Sequence, residues 1–171
     1  MNPPSPYVSV AALCENVLDE KDQRVSCIRF LDRVELNATY SKPLKPEEPA
    51  PTLPIPLLQL TGLLALKSGD FIGKKMMRIN IVKPSGQPMK VEGQMAESLP
   101  LLFEGGEHGV QIILKMTLKV EEEGLYHFDV LLDEEETIAR IPLRIVFTHT
   151  PTDASPPENL KTDDRQESQQ H

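Results

Sequence analysis

The sequence is dominated by an alternation of apolar and polar residues with a period of two. The clearest example is residues 112–120, where every even position is apolar: Ile112, Leu114, Met116, Leu118 and Val120. An extended strand places these side chains on one face, whereas a helix would scatter them around its circumference. The pattern therefore predicts a β-strand with one buried face and one face in water.

Similar patterns predict further strands along the chain. They cover residues 7–15, 25–36, 77–81, 89–95, 126–132 and 139–147. Residues 55–67 fit either a strand with its even-numbered leucines inward or a short helix. Pro142 has outward parity in the last strand, and this favours an edge position because proline cannot donate a ladder hydrogen bond.

About eight short strands without a long amphipathic helix predict an all-β fold. We expect residues 7–148 to form an antiparallel β-sandwich, immunoglobulin-like or similar. Residues 41–54 are rich in Pro, Lys and Glu and predict a connector. Residues 149–171 are polar, with five acids against Lys161 and Arg165, and predict a disordered tail because they have little apolar surface to bury.

Charge and composition argue against several classes of partner. The net charge of −8 disfavours nucleic acids and anionic membranes, which both require clustered Lys and Arg. The N-terminus lacks the basic and apolar regions of a signal peptide, and the apolar stretch 57–66 is too short to span a bilayer. We therefore expect a cytoplasmic protein with Cys14 and Cys27 reduced. If residues 20 and 21 centre the first hairpin, these two cysteines lie directly opposite each other.

No residue pattern points to catalysis. The cysteine and histidine spacings match no zinc site, and the sequence contains neither a Gly-x-Ser-x-Gly elbow nor a phosphate-binding loop. Cys14 lies in an apolar strand, where a thiol usually acts as a small hydrophobic side chain. We therefore predict no catalytic, cofactor-binding or metal-binding residues, and a protein that is not an enzyme.

Acidic residues concentrate in the predicted turns. In an antiparallel domain every second turn lies at the same end, so we predict one acidic pole from the turns 19–22, 68–74, 97–108 and 133–136. Its residues are Asp19, Glu20, Asp22, Asp70, Glu97, Glu104, Glu107, Asp133, Glu134, Glu135 and Glu136. Such a pole would attract a basic protein surface or a divalent cation, although acidic turns also occur simply because turns are solvated.

Several short motifs resemble those of a family of uncharacterised bacterial proteins. The motifs are Ala12-Leu13-Cys14-Glu15, residues 26–32 (SCIRFLD), residues 81–86 (IVKPSG), residues 124–128 (GLYHF) and Ile141-Pro142-Leu143. The resemblance covers roughly residues 7–147 and implies a β-sandwich domain of unknown function, without catalytic residues to carry over.

Together these observations favour a non-enzymatic module that binds a protein partner or has a structural role. The alternative is a domain that binds a small ligand or a divalent cation through its acidic loops. The sequence leaves the oligomeric state open.

Overall fold

The part of the chain that the structure describes forms nine β-strands. The computed structural model describes residues 5–21, 24–40, 55–89, 98–133 and 136–151. The strands are β1 (Tyr7–Asp19), β2 (Val25–Phe30), β3 (Arg33–Tyr40), β4 (Leu57–Lys67), β5 (Ile72–Val82), β6 (Leu99–Glu104), β7 (Gly109–Lys119), β8 (Gly124–Leu132) and β9 (Glu136–Pro151).

The strands form two sheets. Sheet A has the order β2-β1-β4-β7, and sheet B has the order β3-β9-β8-β5-β6. This confirms the all-β sandwich, and the described residues contribute nine strands where about eight were expected. The pairings are antiparallel except at one place, where β3 pairs with β9 in parallel and Arg33 lies opposite Arg144.

The core lies between the two sheets and follows the predicted alternation. Side chains from both sheets meet in two clusters, one around Tyr126 and Phe128 and the other around Phe103 and Val130. The even positions of β7 supply Ile112, Met116, Leu118 and, just beyond the strand, Val120. Residues 57–67 form a strand rather than a helix, and Leu58, Leu60, Leu64 and Leu66 are all buried.

The predicted strand 25–36 is two strands that belong to different sheets. The chain reverses at Leu31 and Asp32, without a glycine or proline. Leu31 N–H donates to the carbonyl of Leu13 in sheet A, and the carbonyl of Asp32 accepts from Arg144 N–H in sheet B, each at 2.8 Å. These two residues therefore carry the chain from one sheet to the other.

Strand β6 was not predicted, because residues 99–104 were assigned to the connection 97–108. The strand predicted at 89–95 lies mostly outside the described residues. Of that segment, Met89 is described, and its N–H donates to the carbonyl of Ile81 at 2.7 Å.

Pro142 lies in a strand with neighbours on both sides along part of its length. Strand β9 pairs with β8 from Glu136 to Ile145, but with β3 only from Arg144 onward. Pro142 precedes the β3 contact, so it has a ladder neighbour on one side only, where a missing N–H is tolerated. The prediction that the last strand lies at the edge of a sheet is wrong, because β9 lies between β3 and β8. At Pro142 itself, however, β8 is the only described strand that pairs with β9, so proline is accommodated there as the prediction assumed.

The last strand continues beyond the predicted domain boundary at residue 148, since β9 ends at Pro151. The connector 41–54 and residues 152–171 of the predicted tail lie outside the described residues.

Candidate interaction surface

Two turns meet at one end of the sandwich, which we call the lower end. Lys67, the last residue of β4, lies opposite Tyr7 at the start of β1 and opposite Gly109 at the start of β7. The turns 68–71 and 105–108 therefore lie side by side there.

The opposite end, called the upper end, holds the first hairpin. Leu57 at the start of β4 lies opposite Lys119 at the end of β7, so the turn 120–123 lies at this end. Strand β1 is antiparallel to β4 and ends at Asp19, so the turn 20–24 lies at this end as well.

The prediction of a single acidic pole is therefore wrong. Asp19 and Glu20 lie at the upper end, whereas Asp70, Glu104, Glu107 and Asp133 lie toward the lower end. Because the predicted strand 25–36 is in fact two strands, the chain reverses direction once more than expected. The first turn therefore lies at the opposite end of the sandwich from the later acidic turns. Glu136 begins β9, and the remaining members Asp22, Glu97, Glu134 and Glu135 lie outside the described residues.

The carboxylates near the β6–β7 turn contact neighbouring side chains rather than a common centre. The Tyr7 hydroxyl donates to Glu107 at 2.8 Å. This hydrogen bond raises the pKa of Tyr7, with smaller contributions from burial and from the charge of Glu107. The His108 ring lies 3.2 Å from the Glu104 carboxylate. The negative charge at the lower end is thus distributed over separate pairs.

Asp133 is held by groups of β5. It accepts from Lys75 Nζ at 2.7 Å and from the Met76 N–H at 2.9 Å. The hydrogen bond to Lys75, followed by that to Met76, lowers the pKa of Asp133. Among the residues that the structure describes, no group of three or more His, Cys, Asp or Glu side chains could hold a metal ion.

Cys14 and Cys27 are free thiols that pack in one small apolar cluster with Val17 and Leu63. They are not directly opposed as predicted, because Cys27 pairs with Val17 and Cys14 with Phe30. The turn between β1 and β2 is longer than assumed, and this displaces the register. Burial, and then the neighbouring Cys27, raise the pKa of Cys14 to about 11, so this thiol is not suited to act as a nucleophile at neutral pH.

The largest exposed apolar side chains of sheet B lie together on its outward face, next to the edge strand β6. Ile72 is 76% exposed and Leu102 is 66% exposed. They are diagonal neighbours, because Ile72 pairs with Glu104 and the following pair on this face joins Lys74 to Leu102. Pro100 is exposed on the same face and Met76, opposite it, is partly exposed. We call Ile72, Met76, Pro100 and Leu102 the β5–β6 patch.

Ile72 contacts the β6–β7 turn despite its exposure. A Cβ atom at Gly105 would lie 2.8 Å from Ile72 Cγ1, so the isoleucine side chain rests against the glycine of the β6–β7 turn. Gly105 has a φ of 73°, which also favours glycine. The turn thus packs against one side of an exposed apolar side chain, and a side chain with less conformational freedom loses less entropy when a partner binds.

A second group of exposed apolar residues lies on the β1–β2 hairpin. Leu18, Ile28 and Phe30 are 47%, 39% and 69% exposed. Arg29, between the last two, has a φ of 48° and forms an ion pair with Glu15 at 3.1 Å. The two oppositely charged groups on this hairpin compensate each other.

Sequence reasoning missed the β5–β6 patch because both of its strands were partly assigned to connections. The run Leu99 to Phe103 is apolar at even and odd positions alike, so it lacks the alternation by which the other strands were found. An exposed leucine in such a run becomes visible only when the register separates Leu101 and Phe103, which are buried, from Leu102.

A model for a family of unknown function, DUF6941, matches residues 49–146, which is more than half of the chain. The chain belongs to this family. The family match spans β4 to most of β9 and includes the whole β5–β6 patch. DUF6941 membership agrees with the expected uncharacterised β-sandwich family. A comparison with curated proteins found no match.

Two solved structures resemble the chain at low sequence identity. One is the CARDB domain of a Pyrococcus furiosus protein in complex with di-metal ions, with 12% identity, a TM-score of 0.38 and coverage of 85% of this chain and 93% of that domain. The other is a β-glucosidase from Listeria innocua, with 12% identity, a TM-score of 0.41 and coverage of 84% of this chain and 16% of the glucosidase. The fold assignment rests on this chain's own strand pairing.

The part of the chain that the structure describes contains no helix long and apolar enough to cross a membrane.

Proposed function

We propose that this protein is a non-enzymatic interaction module that binds a partner protein through the β5–β6 patch. The observation that carries the proposal is the exposure of Ile72 and Leu102 on one face at the edge of sheet B, where Ile72 also rests against Gly105. Burying a side chain of this size contributes about 1.5–3 kcal/mol. Two such anchors, with Pro100 exposed on the same face, supply an apolar centre of the kind that protein interfaces generally have.

The chemistry of the described side chains supports a binding role over a catalytic one. The buried thiol of Cys14 has a raised pKa, and the acids of the lower end are engaged in separate pairs. The alternative of a cation-binding loop cluster receives less support, because the acidic turns lie at two ends of the sandwich. We also propose a cytoplasmic location, since Cys14 and Cys27 share one cluster as free thiols.

The proposal is tested by partner capture followed by reconstitution. Wild-type protein and the double variant Ile72→Ser/Leu102→Ser are used as baits in parallel, with Phe30→Ser on the other exposed apolar group as the matched control. Because these side chains are exposed, the thermal midpoints of all three proteins should be similar, and this is checked first.

We expect a partner that is retained by wild type and by the control and is lost with the double variant. The purified partner should then bind the wild-type protein directly, with at least about a tenfold weaker affinity for the double variant. If no protein depends on Ile72 and Leu102, or if the purified candidate binds all three baits equally, the proposal is wrong.

A further inference from the structure

The outward face of sheet B is basic, although the protein has a net charge of −8. Its cations at outward strand positions are Arg33, Lys74, Arg78, Arg140 and Arg144, and its carboxylates are Glu35, Glu104 and Asp129. Glu35 and Asp129 form ion pairs with Arg33 and Arg140, and the Glu104 carboxylate lies 3.2 Å from the His108 ring. Within the described ranges, Lys74, Arg78 and Arg144 have no ion-pair partner.

Two of these cations alternate with the apolar residues of the β5–β6 patch. Along the outward face of β5 the order is Ile72, Lys74, Met76, Arg78, so apolar and cationic side chains take turns. Residues two apart on a strand lie roughly 6.5 Å apart on the same face. An extended partner has the same spacing between alternate side chains and can match apolar to apolar and carboxylate to cation.

We propose that the partner segment that docks on the β5–β6 patch is extended and acidic, with apolar side chains and carboxylates alternating on one face. This inference rests on the proposed function and adds the chemistry of the partner. Lys74 and Arg78, which have no ion-pair partner among the described residues, select a segment of opposite charge and accelerate its encounter, while Ile72 and Leu102 hold the apolar side chains. Binding therefore weakens as the ionic strength rises.

The probe is a synthetic peptide that repeats leucine-serine-glutamate-serine, and its matched counterpart carries lysine in place of glutamate. Each is titrated into the full-length chain while the backbone amide signals are followed by NMR. We expect the glutamate peptide to shift signals of β5 and β6 and the lysine peptide to leave them unchanged. Lys74→Glu/Arg78→Glu should weaken binding of the glutamate peptide at least about tenfold.

Lys115→Glu serves as the control, because Lys115 is an exposed cation at an outward position of β7 on sheet A. It should leave the affinity unchanged. Equal binding of both peptides, no binding of either peptide, shifts confined to other strands, or full affinity in the Lys74→Glu/Arg78→Glu variant would overturn the inference. Concentration-dependent self-association through Ile72 and Leu102 would identify a second copy as the occupant, and the acidic segment would be excluded.

The two proposals fail in different ways. If a purified partner depends on Ile72 and Leu102 but is indifferent to charge reversal at Lys74 and Arg78, the interaction role stands and the acidic chemistry is wrong. If the glutamate peptide binds as described but no partner depends on the patch, the surface has the stated selectivity and the proposed function fails.

Discussion

Asp129 and Arg140 face each other directly across β8 and β9 and are joined by two hydrogen bonds. Arg140 Nε donates to one carboxylate oxygen at 2.6 Å, and a terminal guanidinium nitrogen donates to the other at 2.8 Å. Asp129 is only 8% exposed, although it lies on the outward face of sheet B. The arginine covers it and holds the pKa of its carboxyl below the usual range, first through the hydrogen bond.

Asp129→Asn should lower the free energy of unfolding by roughly 1–3 kcal/mol at neutral pH, because charged hydrogen bonds are lost at a buried position. A pKa lowered by folding gives stabilisation that is complete above the unfolded-state pKa of about 4. It is lost as the pH falls through the folded-state value. The difference between variant and wild type should therefore shrink below about pH 4, as measured by urea denaturation.

Glu35→Gln is the matched control, since Glu35 pairs with Arg33 at 2.8 Å and both side chains are more than half exposed. Exposed ion pairs contribute little, so this variant should behave as wild type at every pH. A loss for Asp129→Asn that is constant from neutral to acidic pH would show that the charge is not the cause.

Tyr126→Phe should lower the free energy of unfolding by about 1 kcal/mol. Tyr126 is fully buried, and its hydroxyl donates to the carbonyl of Glu122 at 2.7 Å, which ties β8 to the preceding turn. Burial raises the pKa of the phenol, so it stays protonated and can donate. In Tyr7→Phe, the exposed hydroxyl that donates to Glu107 is removed, and thermal unfolding should show little change. Equal losses in both variants would contradict the assignment.

Gly105→Ala should destabilise the protein more than Gly106→Ala. Both glycines have positive φ, 73° and 60°, so an alanine is strained at either position by about 1–2 kcal/mol. Only at Gly105 would the new Cβ also press on Ile72, since the nearest atom at Gly106 is 3.8 Å away. Denaturation curves give the difference, and the Ile72 methyl signals in NMR should move in Gly105→Ala alone. Identical denaturation curves for the two variants would mean that the Ile72 side chain moves aside without cost and does not pack firmly against Gly105.

Cys14 should resist alkylation by iodoacetamide in the folded protein at pH 8, whereas both cysteines should react after unfolding. The Cys14 side chain is fully buried, its Sγ lies 3.2 Å from the carbonyl of Thr61, and its pKa is raised to about 11. At pH 8 only a small fraction is therefore thiolate, the reactive form. Peptide mass spectrometry locates the label. Modification of folded Cys14 at the rate of the unfolded chain would contradict both its burial and its pKa.

The strands with strict alternation were predictable from the sequence because one buried face leaves a period of two. Tyr126, Phe128, Val130 and Leu132 were expected on one face of a strand, and all four are buried. In residues 99–103 the odd and the even positions are both apolar, so the alternation is absent. For this reason strand β6 was not predicted.

The pairing of strands was less predictable, since it depends on turn length and on contacts distant in sequence. Nothing local at Leu31 and Asp32 distinguishes a reversal from a continuous strand. That reversal is also the reason why Asp19 lies at the upper end and the later acidic turns lie toward the lower end. The β5–β6 patch required the register between Lys74 and Leu102, which no local pattern contains.

The parallel pairing of β3 with β9 has a consequence for the order in which the chain can fold. Asn37 and Thr148, neighbours in this pair, are 111 residues apart in sequence. During synthesis the β1–β2 hairpin can close as soon as it leaves the ribosome, but β3 must wait for the final strand. Contacts of such long range close slowly because a long loop has to be ordered. A chain that terminates before Arg144 would therefore leave β3 without its partner as well as lacking much of β9.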